Sequence, residues 1–176
     1  MMPRSLKFGS FELPVHAAIN LDTQYTPKHN RAYLTLANGD EIVRKTFSGL
    51  YYVDVSGNGI IPSGLNGLDF DAPMTVGFTK AMELSTTSTS VVLPAKRRSD
   101  SGSEPFAKAI SASGKIIDVD MTLSTNTVTI TPPSGVTVSQ YVVYYFPELY
   151  GWVEEPVQSG GRGNDYSWSI RFREKA

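Results

Sequence analysis

Histidine and serine are the residue types in this chain best suited to nucleophilic catalysis. Histidine is the commonest general base in enzymes and can activate a serine hydroxyl. His16 follows an apolar stretch, and His29 lies in a polar, turn-like stretch. No Gly-x-Ser-x-Gly sequence occurs, which is the local signature of a serine nucleophile on a strand-to-helix turn. A hydrolase with a dispersed site stays open as an alternative, but we predict that the chain is not an enzyme.

Two Asp-x-Asp pairs could bind a hard cation, because carboxylates on one face of a strand can share an ion. Asp118 and Asp120 equally fit the solvent face of an alternating strand. Asp69 and Asp71 follow a glycine-rich segment and equally fit the caps of turns. We therefore predict no metal site.

Two glycine-containing stretches have some likeness to nucleotide-binding loops. Gly57 and Gly59 lack the third glycine and the following helix of a dinucleotide fingerprint. The stretch around Gly114 and Lys115 lacks the leading glycine and the hydroxyl residue of a phosphate loop. The sequence therefore predicts no cofactor.

Composition narrows the class of protein. The 176 residues carry a net charge of −1, which gives no electrostatic basis for nucleic acid or an anionic membrane as partner. Hydrophobic residues make up 40%, enough for a folded core. The absence of cysteine excludes disulfides and thiolate metal sites. Since the sequence begins without the apolar core of a signal peptide, we expect synthesis in a cytoplasm and no membrane partner.

Period-two patterns predict β-strands nearly throughout. Asn38-Gly39 between two strand-like runs predicts a hairpin with a type I′ turn. Residues 117–123 alternate apolar and polar, as in a strand with one wet face, and residues 141–146 are continuously apolar, as in a strand buried on both faces. Only residues 106–111 and parts of 77–83 could form a short helical turn. We predict an all-β fold, an antiparallel β-sandwich or barrel with long loops and little helix.

The domain organisation predicted from these elements is a single β domain, residues 1–176. A polar stretch bounded by prolines, residues 94–105, is the best candidate for a long mobile loop. As a linker it would join two lobes, residues 1–93 and 106–176.

The glycine-rich residues 56–70, the apolar residues 141–146 before Pro147 and the closing strand 167–174 resemble small structural proteins of tailed-bacteriophage virions. The likeness is to tail-tip and baseplate-type proteins. It implies a non-enzymatic component of the tail tip, baseplate or tail-completion region, made in the host cytoplasm and incorporated into the virion. It also implies a homo-oligomeric ring whose partners are copies of the chain and other virion proteins. No nucleic acid or membrane partner is implied.

On this reading, the glycine-rich segment and the loop 94–105 form contacts between subunits, since long loops and sheet edges offer apolar anchors and backbone pairing. The predicted interface residues are Ile60, Ile61, Leu65, Leu68, Phe70, Arg97 and Arg98.

A carbohydrate-binding β-sandwich is the main alternative. Tyr144, Tyr150, Trp152 and Trp168 could stack against sugar rings. Trp168 belongs to the apolar face of its strand and fits the core better than a sugar site, whereas Trp152 beside Gly151 is less clearly a core residue.

Overall fold

The chain folds into β-strands in the computed structural model, which describes residues 5–13, 20–59, 61–62, 64–160 and 166–176 and omits the side chains of residues 29–32 and 44–48. The strands are β1 (Lys7–Phe8), β2 (Phe11–Glu12), β3 (Asp22–Thr35), β4 (Glu41–Asn58), β5 (Met74–Gly77), β6 (Met82–Thr86), β7 (Ser90–Val92), β8 (Phe106–Ser111), β9 (Ile116–Val119), β10 (Met121–Ser124), β11 (Thr127–Ile130), β12 (Val138–Tyr145), β13 (Glu148–Val153), β14 (Val157–Gly160) and β15 (Tyr166–Glu174). The predicted all-β class is confirmed, because the described residues contain strands and no helix. None of this part of the chain forms a helix long and apolar enough to cross a membrane.

The chain divides into two compact units. The first comprises Met1–Leu6 and Gly77–Leu149, and the second comprises Lys7–Val76 and Tyr150–Ala176. Residues 94–105, predicted as a linker between lobes, lie inside the first unit. There Arg98 N–H donates to the Phe146 carbonyl at 2.8 Å and Glu148 N–H donates to the Lys96 carbonyl at 3.2 Å. These backbone hydrogen bonds hold the stretch against Phe146 and Glu148 within the first unit.

The first unit is sandwich-like. It contains a four-stranded sheet in the order β6-β12-β8-β9 and a three-stranded sheet in the order β10-β11-β7. Both sheets contribute side chains to one buried cluster. That cluster consists of Leu93, Ala107, Ala109, Val128, Ile130, Tyr141, Val143 and Tyr145. The predicted burial of β12 on both faces is confirmed, because Tyr141, Val143 and Tyr145 lie in this cluster and Val142, on the opposite face, is 6% exposed.

Two local predictions in this unit are wrong. Residues 106–111 form strand β8 instead of a helical turn. Every second residue is buried, with Ala107 and Ala109 in the cluster, and the backbone pairs with β12 on one side and β9 on the other. The alternating stretch 117–123 is not one strand. It breaks at Asp120, and its two halves β9 and β10 belong to different sheets.

The second unit is built on an eight-stranded sheet. Its order is β2-β1-β5-β13-β15-β4-β3, with β14 also pairing with β15. The inner side of β15 buries Trp168, Ile170 and Phe172, each at most 3% exposed. The assignment of Trp168 to the core is therefore confirmed. Alternate residues of β15, including Arg171 and Arg173, point to the opposite, outer face.

The longest strands, β3 and β4, form the predicted hairpin. The turn differs from the type I′ prediction, because only Gly39 has a positive φ, 86°, and Asn38 does not. Gly39 N–H donates to the Leu36 carbonyl and Leu36 N–H donates to the Asp40 carbonyl. This is a three-residue connection with glycine in the left-handed position, the next most common way of closing a hairpin.

Candidate functional site

The first candidate site is the distal part of the β3–β4 hairpin, residues 28–50, which we call the arm. Strand β15 pairs with β4 only from Tyr52 to Asn58. Beyond that point β3 and β4 pair with each other, and within the described residues no third strand joins them. Eight residues of β3, 28–35, extend past the sheet, a length of about 26 Å at the usual rise per residue.

Register shifts mark the base of the arm. The pairing steps irregularly between Lys28 and Asn30 and again between Asn30 and Arg31, so β4 contains extra residues at both steps. Gly49, in the same region, has a φ of 79°. Bulges of this kind bend a strand and increase its twist. The arm therefore leaves the sheet at a locally twisted point.

Apolar side chains are exposed on both faces at the tip of the arm. Tyr33 lies directly across from Val43, and Leu34 lies across from Ile42. The four side chains are 61%, 51%, 54% and 48% exposed respectively. Because successive residues of a strand point to opposite faces, each face of the ribbon carries one apolar pair.

The second candidate site is the solvent-facing side of the second unit's sheet, which we call the outer face. Four neighbouring strands place Trp152, Arg173, Tyr52 and Thr26 in one cross-strand row. Tyr150, two residues before Trp152, points to the same side of β13. These two aromatic side chains are 50% and 40% exposed.

Cations lie over the aromatic rings of the outer face. The Arg173 guanidinium carbon is 5.6 Å and the Lys28 ammonium 5.2 Å from the centre of the Tyr52 ring. The Lys175 ammonium is 5.9 Å from the centre of the Tyr150 ring. Distances near 6 Å are those of cation–π contacts. These contacts hold cationic and aromatic groups side by side on the outer face.

Two ion pairs cross the outer face. Arg171 donates to both carboxylate oxygens of Asp54, at 2.6 and 3.2 Å. Arg173 donates to the Glu154 carboxylate. The hydrogen bond to Asp54, reinforced by the charge of that carboxylate, raises the pKa of Arg171 above its ordinary value. The two carboxylates therefore hold both guanidinium groups in place on the outer face.

Two shallow depressions adjoin at the Arg171–Asp54 pair. One, of about 310 Å³, is lined by Thr26, Tyr52, Asp54, Arg171 and Arg173. The other, of about 220 Å³, is lined by Asp54, Glu154, Glu155, Val157, Ser169, Ile170 and Arg171. The outer face thus offers aromatic surface, hydrogen-bond donors and hydrogen-bond acceptors within one continuous region.

The predicted interface residues have different positions. Leu65 and Arg98 are 0% and 2% exposed in their own chain, so they present almost no surface to a neighbouring copy. Ile61, Leu68, Phe70 and Arg97 are half-buried, and Ile60 lies outside the described residues.

Arg98 has an internal role that the sequence did not indicate. It donates to both carboxylate oxygens of Asp100, at 2.9 and 2.5 Å. It also donates to the carbonyls of Ser5 at 2.7 Å, Gly77 at 3.2 Å and Phe78 at 3.3 Å. A buried guanidinium with this many acceptors is a structural group.

Arg97 contacts the tight turn between β10 and β11. It donates to the Asn126 side-chain oxygen at 3.0 Å and to the Thr125 carbonyl at 2.6 Å. Thr125 has a φ of 54°, an unusual conformation for a β-branched residue. This arginine therefore holds a strained turn, so both arginines predicted for the interface, Arg97 and Arg98, make contacts within the fold.

The candidate catalytic and metal-binding residues do not gather into a site among the described residues. His16 lies outside them, as does the side chain of His29. The Asp69 carboxylate accepts a hydrogen bond from Asp71 N–H at 3.0 Å, as a turn cap does. No cluster of three or more His, Cys, Asp or Glu residues suited to a metal ion occurs in the described part of the chain.

The four aromatic residues considered for sugar binding do not form one site. Trp168 is buried, and Tyr144 is in the first unit, stacked on Phe106 with ring centres 4.8 Å apart. Tyr150 and Trp152 remain exposed together. Sequence reasoning missed their neighbours Tyr52, Arg171 and Arg173, which come from two other strands and are brought together only by the register. It also missed the arm tip, although two adjacent apolar residues on each side of the predicted turn were a usable signal.

Comparisons of the chain with models of protein families, with curated proteins and with solved structures found no match.

Proposed function

We propose that the chain is a non-enzymatic structural component of a bacteriophage tail that assembles into a ring with copies of itself. The tail assignment rests on the sequence resemblance to tail-tip and baseplate-type virion proteins. The assembly role rests on one observation, the apolar pairs exposed on both faces of the arm. A surface patch would need such side chains on one face only, whereas a ribbon with both faces apolar suits enclosure by a partner.

The arm gains stability when its tip is covered. A two-stranded ribbon is marginal by itself in water. Full burial of a Leu, Ile or Val side chain is worth about 1.5–3 kcal/mol. Since roughly half of each of the four tip side chains is exposed, covering them would contribute about 3–6 kcal/mol before the entropic cost of association.

Charge favours a second copy of the chain as the partner. Residues 28–50 contain four of the 16 Lys and Arg residues and two of the 17 Asp and Glu residues, a net charge of +2. The remainder of the chain has a net charge of −3. An arm of one copy is therefore attracted to the body of another, which steers association and disfavours contact between two arms.

Part of the predicted interface supplies a suitable acceptor. Asp69 and Asp71 are exposed, and the apolar residues next to them in sequence, Leu68 and Phe70, are half-buried, as is Ile61. This acidic and apolar surface complements the basic and apolar arm. An arm that binds a different surface on its neighbour makes a heterologous contact, which generates a ring when the rotation closes.

Native mass measured by light scattering during size-exclusion chromatography, over a range of concentrations, tests the proposal. We expect a discrete oligomer for the wild-type chain, and rings by electron microscopy. The double variant Leu34→Ser/Ile42→Ser, which removes one apolar pair of the tip, should be a folded monomer. The matched control Val92→Ser/Ile116→Ser removes two other aliphatic side chains, 68% and 62% exposed, and should keep the oligomer.

A second variant tests the acceptor. Asp69→Lys/Asp71→Lys should also yield monomers, because the basic arm would meet like charge. Combining it with Arg44→Glu/Lys45→Glu should restore the oligomer. A wild-type chain that is monomeric at every concentration would refute self-assembly, and an arm variant with wild-type mass would refute the role of the arm.

A further inference from the structure

We infer that the outer face binds a neutral saccharide chain, an activity separate from assembly through the arm. The inference narrows the sugar-binding alternative to one surface, to two of its four aromatic residues and to a class of ligand. It begins with Tyr150 and Trp152, which lie on one side of β13 with half or nearly half of their surface exposed. Flat aromatic rings on a rigid strand present the kind of apolar surface against which the C–H face of a sugar ring packs.

Hydrogen-bonding groups of both kinds adjoin the aromatic pair. Arg173 is directly opposite Trp152 and is held by Glu154 and by the Tyr52 ring. Arg171 and Asp54 form the next cross-strand pair on the same face. A guanidinium carries five N–H donors and a carboxylate about four acceptor sites, so each ion pair keeps capacity for further partners. Sugar hydroxyls, which donate and accept, can use both halves of such a pair.

Charge balance selects a neutral ligand over an anionic one. Both arginines of the outer face are matched by a carboxylate, Arg171 by Asp54 and Arg173 by Glu154. Lys28 and Lys175 add two cations to the outer face, and Glu155 adds a third carboxylate, so the four cations exceed the carboxylates by one charge only. A polyanion such as a nucleic acid needs a clear excess of cations to displace its counterions, and would meet these carboxylates at close range. A hydroxyl-rich chain without charge meets no such repulsion.

The shape of the outer face fits an extended chain. The two depressions, of about 310 and 220 Å³, share the Arg171–Asp54 pair and lie next to each other. Both are at or below the lower end of the volume range of pockets that enclose drug-sized ligands. Two small, open and adjoining depressions suit successive units of a polymer better than one enclosed small molecule.

A glycan array that pairs neutral saccharides with carboxylated, sulfated and phosphorylated counterparts tests the inference, with the array's best neutral oligosaccharide then titrated calorimetrically. We expect binding to neutral saccharides and weaker or no binding to the charged counterparts. Trp152→Ala should weaken binding at least tenfold, and Tyr150→Ala should also weaken it. Tyr166→Ala removes an aromatic side chain of similar exposure, 38%, at the far end of β15 and should leave binding unchanged.

A second pair of variants separates binding from folding. Arg173→Gln/Glu154→Gln removes both charges of an exposed ion pair and should leave the melting temperature close to that of the wild type. It should nevertheless alter the affinity or the preference among the saccharides. An array without any bound glycan, a preference for anionic glycans, or wild-type affinity in Trp152→Ala would each overturn the inference. None of these results depends on whether the chain forms a ring.

Discussion

Replacing Arg98 by alanine tests the finding that a residue of the polar 94–105 stretch is a core group of the first unit. The guanidinium is 2% exposed and makes two hydrogen bonds to Asp100 and three to main-chain carbonyls. The variant removes all five contacts. It leaves the carbonyls of Ser5, Gly77 and Phe78 without this donor.

The expected loss follows from burial. Breaking a buried ion pair by removing one partner costs about 3–5 kcal/mol, and each buried carbonyl left without a donor costs about 1–3 kcal/mol. Two effects limit the total, since Asp100 is 32% exposed and can be hydrated, and since water can enter the space left by the side chain. We expect Arg98→Ala to lower the free energy of unfolding by about 3–5 kcal/mol. At about 2–4 °C per kcal/mol for a chain of this size, the melting temperature would fall by roughly 6–20 °C.

Urea unfolding followed by two signals measures this loss. Both tryptophans, Trp152 and Trp168, belong to the second unit, so their fluorescence reports on that unit, while far-UV circular dichroism reports on all strands. If the fluorescence and dichroism transitions do not coincide, the two units unfold separately. The destabilisation caused by Arg98→Ala should then lower the midpoint of the first unit's transition, which is seen by dichroism and not by fluorescence.

Arg97→Ala is the matched control for this prediction. The neighbouring arginine is half-buried and donates to the turn at Thr125 and Asn126 and to the Arg98 carbonyl, so its loss should cost about 1 kcal/mol. Arg98→Lys, which keeps the charge but loses the planar fork, should fall between the two variants. A loss below about 1 kcal/mol in Arg98→Ala, or one equal to that of Arg97→Ala, would refute the reasoning.

Two further substitutions test backbone features of the fold. Gly151→Ala would place a methyl carbon 2.1 Å from the Arg173 carbonyl oxygen, so we expect it to disrupt the pairing of β13 with β15 and to prevent or strongly weaken folding. Gly67→Ala, whose nearest heavy atom would be 3.8 Å away, should be close to neutral in the same thermal unfolding assay, and equal melting temperatures would contradict the predicted clash. Thr125→Gly should stabilise the first unit by about 1 kcal/mol, because glycine adopts the observed φ of 54° without strain. A lower unfolding midpoint in urea would show that the turn is not strained.

The two-residue alternation of apolar and polar side chains and the residues typical of turns were enough to predict the class of the fold, because both depend on local sequence. Asn38-Gly39 located the hairpin, and the apolar run 141–146 identified a strand buried on both faces. The break at Asp120 could not be predicted in this way. The alternation of apolar and polar residues continues through it, since the strands on either side both keep one face toward the same core.

The candidate sites were harder to predict, because they depend on register and on where pairing ends. Tyr52, Arg173 and Trp152 are far apart in sequence and share a row only because β4, β15 and β13 pair at particular residues. Arg98 was predicted as an interface residue, because a polar stretch bounded by prolines is typical of an exposed loop. Its burial is set by carbonyls from residues 5, 77 and 78, whose proximity no local pattern encodes.

The two proposed activities use successive parts of the same two strands and are compatible. Residues of β3 and β4 up to the level of Pro27 and Tyr51 belong to the sheet, and residues 28–50 form the arm. The register shifts next to Lys28 and the positive φ of Gly49 separate these parts, because a bulge changes both the direction and the twist of a strand. The apolar tip can bind a neighbouring copy without Tyr150 and Trp152 forming part of that interface, because both aromatic residues are on β13, two strands away from β4. Variants of the tip should therefore abolish assembly while retaining saccharide binding, and a tip variant that loses both would show that the outer face is completed by the neighbouring copy.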